Sequence, residues 1–136
     1  MTRLLPVLVV IALVGAGCKG KNESATAPTD TTKTDTFSGT VQVRGSAVHN
    51  FTTSNSGQVS ATLTAAGPPS TIVMGMAIGT PGDSSCGVLT GASVNTAAGS
   101  TAQLAGIVSP GTLCVTVFDV GNQTAAINYT VTVTHP

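Results

Sequence analysis

Residues 57–66 read "GQVSATLTAA". Val59, Ala61, Leu63 and Ala65 occupy every second position, and Ser60, Thr62 and Thr64 stand between them. A two-residue period puts all the apolar side chains on one face of an extended strand and the hydroxyls on the other. The same rhythm recurs along the chain. "FSGTVQV" at 37–43 carries Phe37, Val41 and Val43, and "SAVHNFTT" at 46–53 carries Val48 and Phe51. "TIVMGMAIG" at 71–79 aligns Ile72, Met74, Met76 and Ile78, which marks both methionines as core. "TAQLAGIV" at 101–108 is a weaker strand. "GTLCVTVFD" at 111–119 aligns Leu113, Val115 and Val117, and "INYTVTVT" at 127–134 aligns Ile127, Tyr129, Val131 and Val133. Tyr129 reads as core, with its hydroxyl reaching an edge.

Turn residues separate these strands. "AAGPPST" at 65–71 is a Gly-Pro-Pro break, "GTPGDSSCG" at 79–87 reads as a loop, and "SPGT" at 109–112 is a tight turn. In that turn Pro110 fixes φ, and Gly111 is free to take positive φ. About seven or eight short strands, each apolar on one face, with no helical segment, predict an all-β fold. The expected form is a single antiparallel β-sandwich of two sheets packed face to face, over residues 37–136.

Residues 7–21 read "VLVVIALVGAGCKGK". Gly15, Gly17 and Gly20 spell a dinucleotide fingerprint, and Lys21 approaches a P-loop. A phosphate loop needs a helix directly behind it. Here the polar, Thr-rich "NESATAPTDTTKTDT" follows, with no apolar period, and Asn22 stands where a P-loop has Ser or Thr. Export explains more of the stretch. Arg3 supplies a positive n-region, and residues 4–17 form an apolar segment shorter than the roughly 20 residues of a spanning helix. "GAGC" resembles the bacterial lipobox, although Gly15 replaces the usual aliphatic residue. The resemblance implies cleavage after Gly17 and lipidation of Cys18. The expected organisation is a lipoprotein signal peptide at 1–17, an acylated Cys18 heading a flexible tether to residue 36, and the domain at 37–136. A flexible tether of that length spans on the order of 23 Å. By the same resemblance, Lys19 directs the protein to the outer membrane of a bacterial envelope, and membrane lipid becomes its first partner.

Charged residues make up 7% of the chain, and from Phe37 onward they are Arg44, Asp83 and Asp119 alone. One cation cannot neutralise a run of phosphates, so nucleic acid is excluded as a partner. With Cys18 taken by lipid, Cys86 and Cys114 remain as an even pair in an oxidising compartment, and a disulfide is expected. It would close a loop of about 28 residues and stabilise by roughly 3 kcal/mol. Two Cys and two distant His lack metal-ligand spacing. No cofactor is called for.

"SPGTLCVTVFDVGNQTAAINYTVTVT" at 109–134 resembles the C-terminal half of the bacterial pre-peptidase C-terminal (PPC) domain, a small jelly-roll-like β-sandwich. Pro110-Gly111-Thr112, Val115, Val117 and Tyr129-Thr130-Val131 match its last two strands, while Leu113 and Cys114 replace an aromatic pair. "FSGTV" and "HNFTTSNSGQVSATLTA" resemble its opening strands. The resemblance implies a non-catalytic module that accompanies secreted or surface proteins. The clustered carboxylates with which some relatives hold calcium are missing here.

"GDSSCG" at 82–87 resembles the surroundings of a trypsin-like nucleophile, which would cast Ser84 as nucleophile, His49 as base and Asp119 as orienting acid. A two-barrel protease needs about twice this length, so the plainer reading is a polar turn. His49 faces opposite to Val48, as an exposed or hydrogen-bonded side chain. His135 lies at the chain end and is expected to fray. Asn50, Asn122 and Asn128 lie in N-x-Thr triplets that read as ordinary Thr-rich strands and turns. The expected function is a lipid-anchored, non-enzymatic envelope module with a binding or structural role, accessory to an envelope, secreted or surface protein. A carbohydrate-binding or adhesion module is the alternative: an uncharged Thr/Ser/Asn surface suits sugars, but there is no Trp and a single Tyr to stack on them. A hydrolase would need a catalytic constellation that the residues do not supply.

Overall fold

The computed structural model describes residues 31–136. The signal peptide, Cys18 and most of the expected tether lie outside the described residues. Eight strands follow in order: β1 (Lys33–Val41), β2 (Ser46–Thr53), β3 (Gly57–Gly67), β4 (Met74–Pro81), β5 (Cys86–Thr96), β6 (Leu104–Val108), β7 (Gly111–Phe118) and β8 (Ile127–His135). They form two antiparallel sheets, ordered β1-β8-β3-β6 and β2-β7-β4-β5. Only β4 and β5 follow one another within one sheet; every other connection changes sheet. The expected antiparallel β-sandwich is the observed fold.

The period of two accounts for the core. Val59, Ala61 and Leu63 of β3, Met74, Met76 and Ile78 of β4, Leu113, Val115 and Val117 of β7, and Ile127, Tyr129, Val131 and Val133 of β8 all point between the sheets and are buried. Burying each large apolar side chain contributes about 1.5–3 kcal/mol against the conformational entropy of ordering the chain. Gly111 begins β7 at φ +147°, a conformation that suits glycine.

Four sequence expectations are corrected. The first strand begins at Lys33, so residues 33–36 of the expected tether pair with β8, from Lys33 opposite His135 to Thr36 opposite Thr132. Those polar residues take strand form because β8 offers them an edge, and Val43, expected within the strand, lies in the exposed turn beyond it. Ala65 is exposed and Ala66 is buried, because the β3–β8 register shifts between Leu63 and Ala65. A bulge adds one residue and reverses the phase of all that follows. β5 was not foreseen, and Cys86–Gly87 of the expected loop belong to it. It pairs only with β4, and in its first half Val88 and Leu89 are exposed, so the alternation that marks a half-buried strand is confined to Ala92 and Val94 in its second half. His135 does not fray: it is 1% exposed. Its Nε2 stands 3.0 Å from Asp35 Oδ2, and its ring tilts against Phe51.

Just before β6 begins at Leu104, Gln103 covers the edge of β3 beyond their pairing. Its Oε1 accepts from the Leu63 N–H at 2.8 Å, and its own N–H donates to the Ala61 carbonyl at 3.1 Å. Gly99 N–H donates to the Leu63 carbonyl at 2.9 Å. A side-chain amide thus replaces the missing strand, as buried backbone groups require.

Candidate functional site: a polar recess under the disulfide loop

Cys86 and Cys114 are joined, with Cα atoms 5.8 Å apart. On β7 the core-facing residues are Leu113 and Val115, so Cys114 lies on the other face of the sheet. Cys86 opens β5, and the bridge therefore ties β5 to β7 across β4. The crossing needs Gly79 beneath it. A Cβ there would lie 2.2 Å from the Gly87 carbonyl oxygen and 3.0 Å from Cys86 Sγ. Glycine is what lets the two backbones approach.

The bridge pins the turn that precedes Cys86. Gly82 N–H donates to the Ser85 carbonyl at 2.8 Å, closing the 82–85 turn. The turn stands beside the outward face of β2, and together they frame an open recess of about 340 Å³. Ser46, Val48 and Asn50 line one wall, and Asp83, Ser84 and Ser85 line the other. The polar side chains of these residues make no hydrogen bond within the described part of the chain. On the outer face of the other sheet some polar side chains pair with one another. Thr34 pairs with Thr134 at 3.1 Å, Ser38 with Thr130 at 2.9 Å, and Thr40 donates to Asn128 Oδ1 at 2.8 Å.

A second concavity of about 330 Å³ lies where the free edges of β5 and β6 meet. Val59, Ile78 and Leu104 form its floor, and Leu89 and Ile107 its rim. Apolar side chains dominate the lining, and it carries no titratable group.

The residues considered as a triad are not brought together. Ser84 stands in the recess beside Val48. His49, the next residue on β2, points to the opposite, inter-sheet side, where its Nε2 lies 2.6 Å from the Tyr129 hydroxyl and its ring stacks on Phe37 at 4.7 Å. Burial lowers the His49 pKa from its ordinary 6.5 and raises that of Tyr129 from 10.0. Both shifts favour the neutral forms, and the pair bridges the two sheets. Tyr129 is core as expected, and its hydroxyl ends on this imidazole. Asp119 has a third task. Its carboxylate accepts from the Arg44 N–H at 2.8 Å and from those of Gly121, Asn122 and Gln123. The Arg44 backbone contact is the chief cause that holds its pKa below the usual 3.8; desolvation opposes it, and the N–H groups of Gly121, Gln123 and Asn122 each add a smaller lowering. Asp119 thereby locks the 119–123 turn to the turn between β1 and β2, where Arg44 takes φ 60°.

Of the N-x-Thr asparagines, Asn128 pairs with Thr40, Asn122 donates to the Val73 carbonyl at 3.1 Å, and Asn50 lines the recess. Sequence reasoning missed the recess. Its signal was present in part: a polar turn one residue before a cysteine, and a strand whose outward positions, 46 and 50, are polar. No group of three or more His, Cys, Asp or Glu side chains among the described residues is placed to hold a metal ion. No family model matches the chain, and no curated protein does.

Proposed function

We propose that the chain is a lipid-anchored, non-enzymatic binding module of the bacterial envelope, similar in kind to the PPC domains and accessory to a secreted or surface partner. The observation that carries the binding role is the recess under the 82–85 turn. It gathers five polar side chains without hydrogen-bond partners among the described residues, while the general base that acyl-transfer chemistry would need there, His49, faces the other side of the sheet. A disulfide-pinned turn on a rigid sheet presents a fixed set of donors and acceptors, as a binding site requires. "GAGC" at residues 15–18 supports the anchor, and lipidated Cys18 would hold the module at the membrane surface.

Cross-linking in cells tests the binding role. A photoreactive amino acid replaces Ser84 in the recess and, as a control, Thr130 on the outer face of the other sheet. Adducts to one envelope component from position 84 and none from position 130 are expected. Equal labelling from both positions, or none from either, would contradict the proposal.

A further inference from the structure

We infer that the recess takes a neutral sugar unit, held through its hydroxyl groups; the inference rests on the binding-module reading and gives that site its ligand class. Size comes first. At about 340 Å³ the recess lies near the lower end of small-molecule sites, which run roughly 300–1,000 Å³, and suits one ring rather than an extended chain.

The inventory of groups narrows the chemistry. Asp83 contributes a carboxyl, Asn50 both an N–H donor and a carbonyl acceptor, and Ser46, Ser84 and Ser85 three hydroxyls that donate or accept. A vicinal diol presents two adjacent O–H donors that a carboxylate accepts together, and its oxygens then accept from the amide and the serines. Mixed donors and acceptors spread around a ring are matched by a polyol and wasted on a point charge.

Other ligand classes fit worse. A phosphate or sugar acid would meet Asp83 with no cation in the recess to offset the repulsion. A lone cation would find one exposed carboxyl, and an exposed ion pair of that kind holds little. An apolar side chain would find Val48 as its only apolar contact. The same scarcity of apolar surface means weak binding at a single site, of about millimolar affinity, because no aromatic ring stacks on the sugar. Many copies held at one membrane surface by Cys18 would compensate, since linked weak sites bind a polymer far more tightly than one does.

The experiment uses the full chain purified in detergent and reconstituted in phosphatidylethanolamine–phosphatidylglycerol vesicles. These are passed over immobilised cellulose, chitin, amylose and galactan, and eluted with the matching free monosaccharide. Retention on one polymer and elution by its own sugar are expected. Asp83→Ala and Asn50→Ala should each weaken retention at least tenfold, with thermal unfolding unchanged. Ile107→Ser, in the apolar concavity at the far edge, should leave retention intact. No retention on any of the four, or retention indifferent to both recess substitutions, overturns the inference. If a protein is nevertheless cross-linked from position 84, the sugar is wrong and the binding module stands. If nothing is cross-linked either, both are overturned.

Discussion

Cys86→Ser is expected to lower the unfolding free energy by about 3–4 kcal/mol, read as a shift of the urea midpoint at unchanged slope. The bridge closes a separation of 28 residues, and most of its effect is the entropy it removes from the unfolded chain. Cys86 is the position to change, because it is only half-buried, whereas Cys114 is fully buried and a serine there would add a buried hydroxyl to the loss. The structural consequence is local as well. Without the bridge, the 82–85 turn keeps its Gly82–Ser85 hydrogen bond but loses its tie across β4 to β7. Destabilisation below about 1 kcal/mol would mean that this tie constrains little.

Leu63→Ala is expected to cost about 2–5 kcal/mol in the same assay. Leu63 is fully buried, and β3 lies between β8 and β6 with β-pairing on both sides. Its backbone N–H and carbonyl are held by Gln103 and Gly99, so the strand cannot easily shift to fill the cavity. Val88→Ala is the matched control. Val88 is 50% exposed on the edge strand β5, and its truncation should stay within about 0.5 kcal/mol. Similar losses at the two sites would contradict the assignment of the core.

The fold was legible where burial is one-sided. β8 alternates strictly, β7 keeps Leu113, Val115 and Val117 at every second position although Cys114 and Thr116 between them are buried too, and for β2, β7 and β8 the expected and observed strands agree to within a residue or so at each end. Legibility failed where another effect outweighed the period of two. On β3 a bulge at Thr64 exchanged the roles of Ala65 and Ala66, and no local residue announces it. On β5 the first half is exposed on both faces and only the small Ala92 and the half-buried Val94 pack against the core, so the hydrophobic pattern is weak and the strand is set by pairing with β4. At Lys33–Thr36 a Thr-rich stretch with linker composition became strand because β8 extends far enough to pair with it. His135 was misjudged for the same reason, since chain position says nothing about the Asp35 side chain that meets it.

The candidate site was less legible than the fold. The Cys86–Cys114 pairing followed from counting, and the structure contains that bridge. The recess did not follow, because its walls come from segments about 35 residues apart, β2 and the 82–85 turn, and only the bridge and the sheet order set them side by side. The triad residues are kept apart twice over: residues 48 and 49 are neighbours in sequence and face opposite sides of a strand, and Asp119 is held by the Arg44 N–H and its own turn.

Lipid attachment at Cys18 is central to the proposed function, and the intact mass of the native protein extracted from cell membranes tests it most directly. The expected result is a chain that begins at Cys18 and carries the added mass of a covalent lipid. A chain recovered in the soluble fraction, beginning at another residue and without lipid, would contradict it.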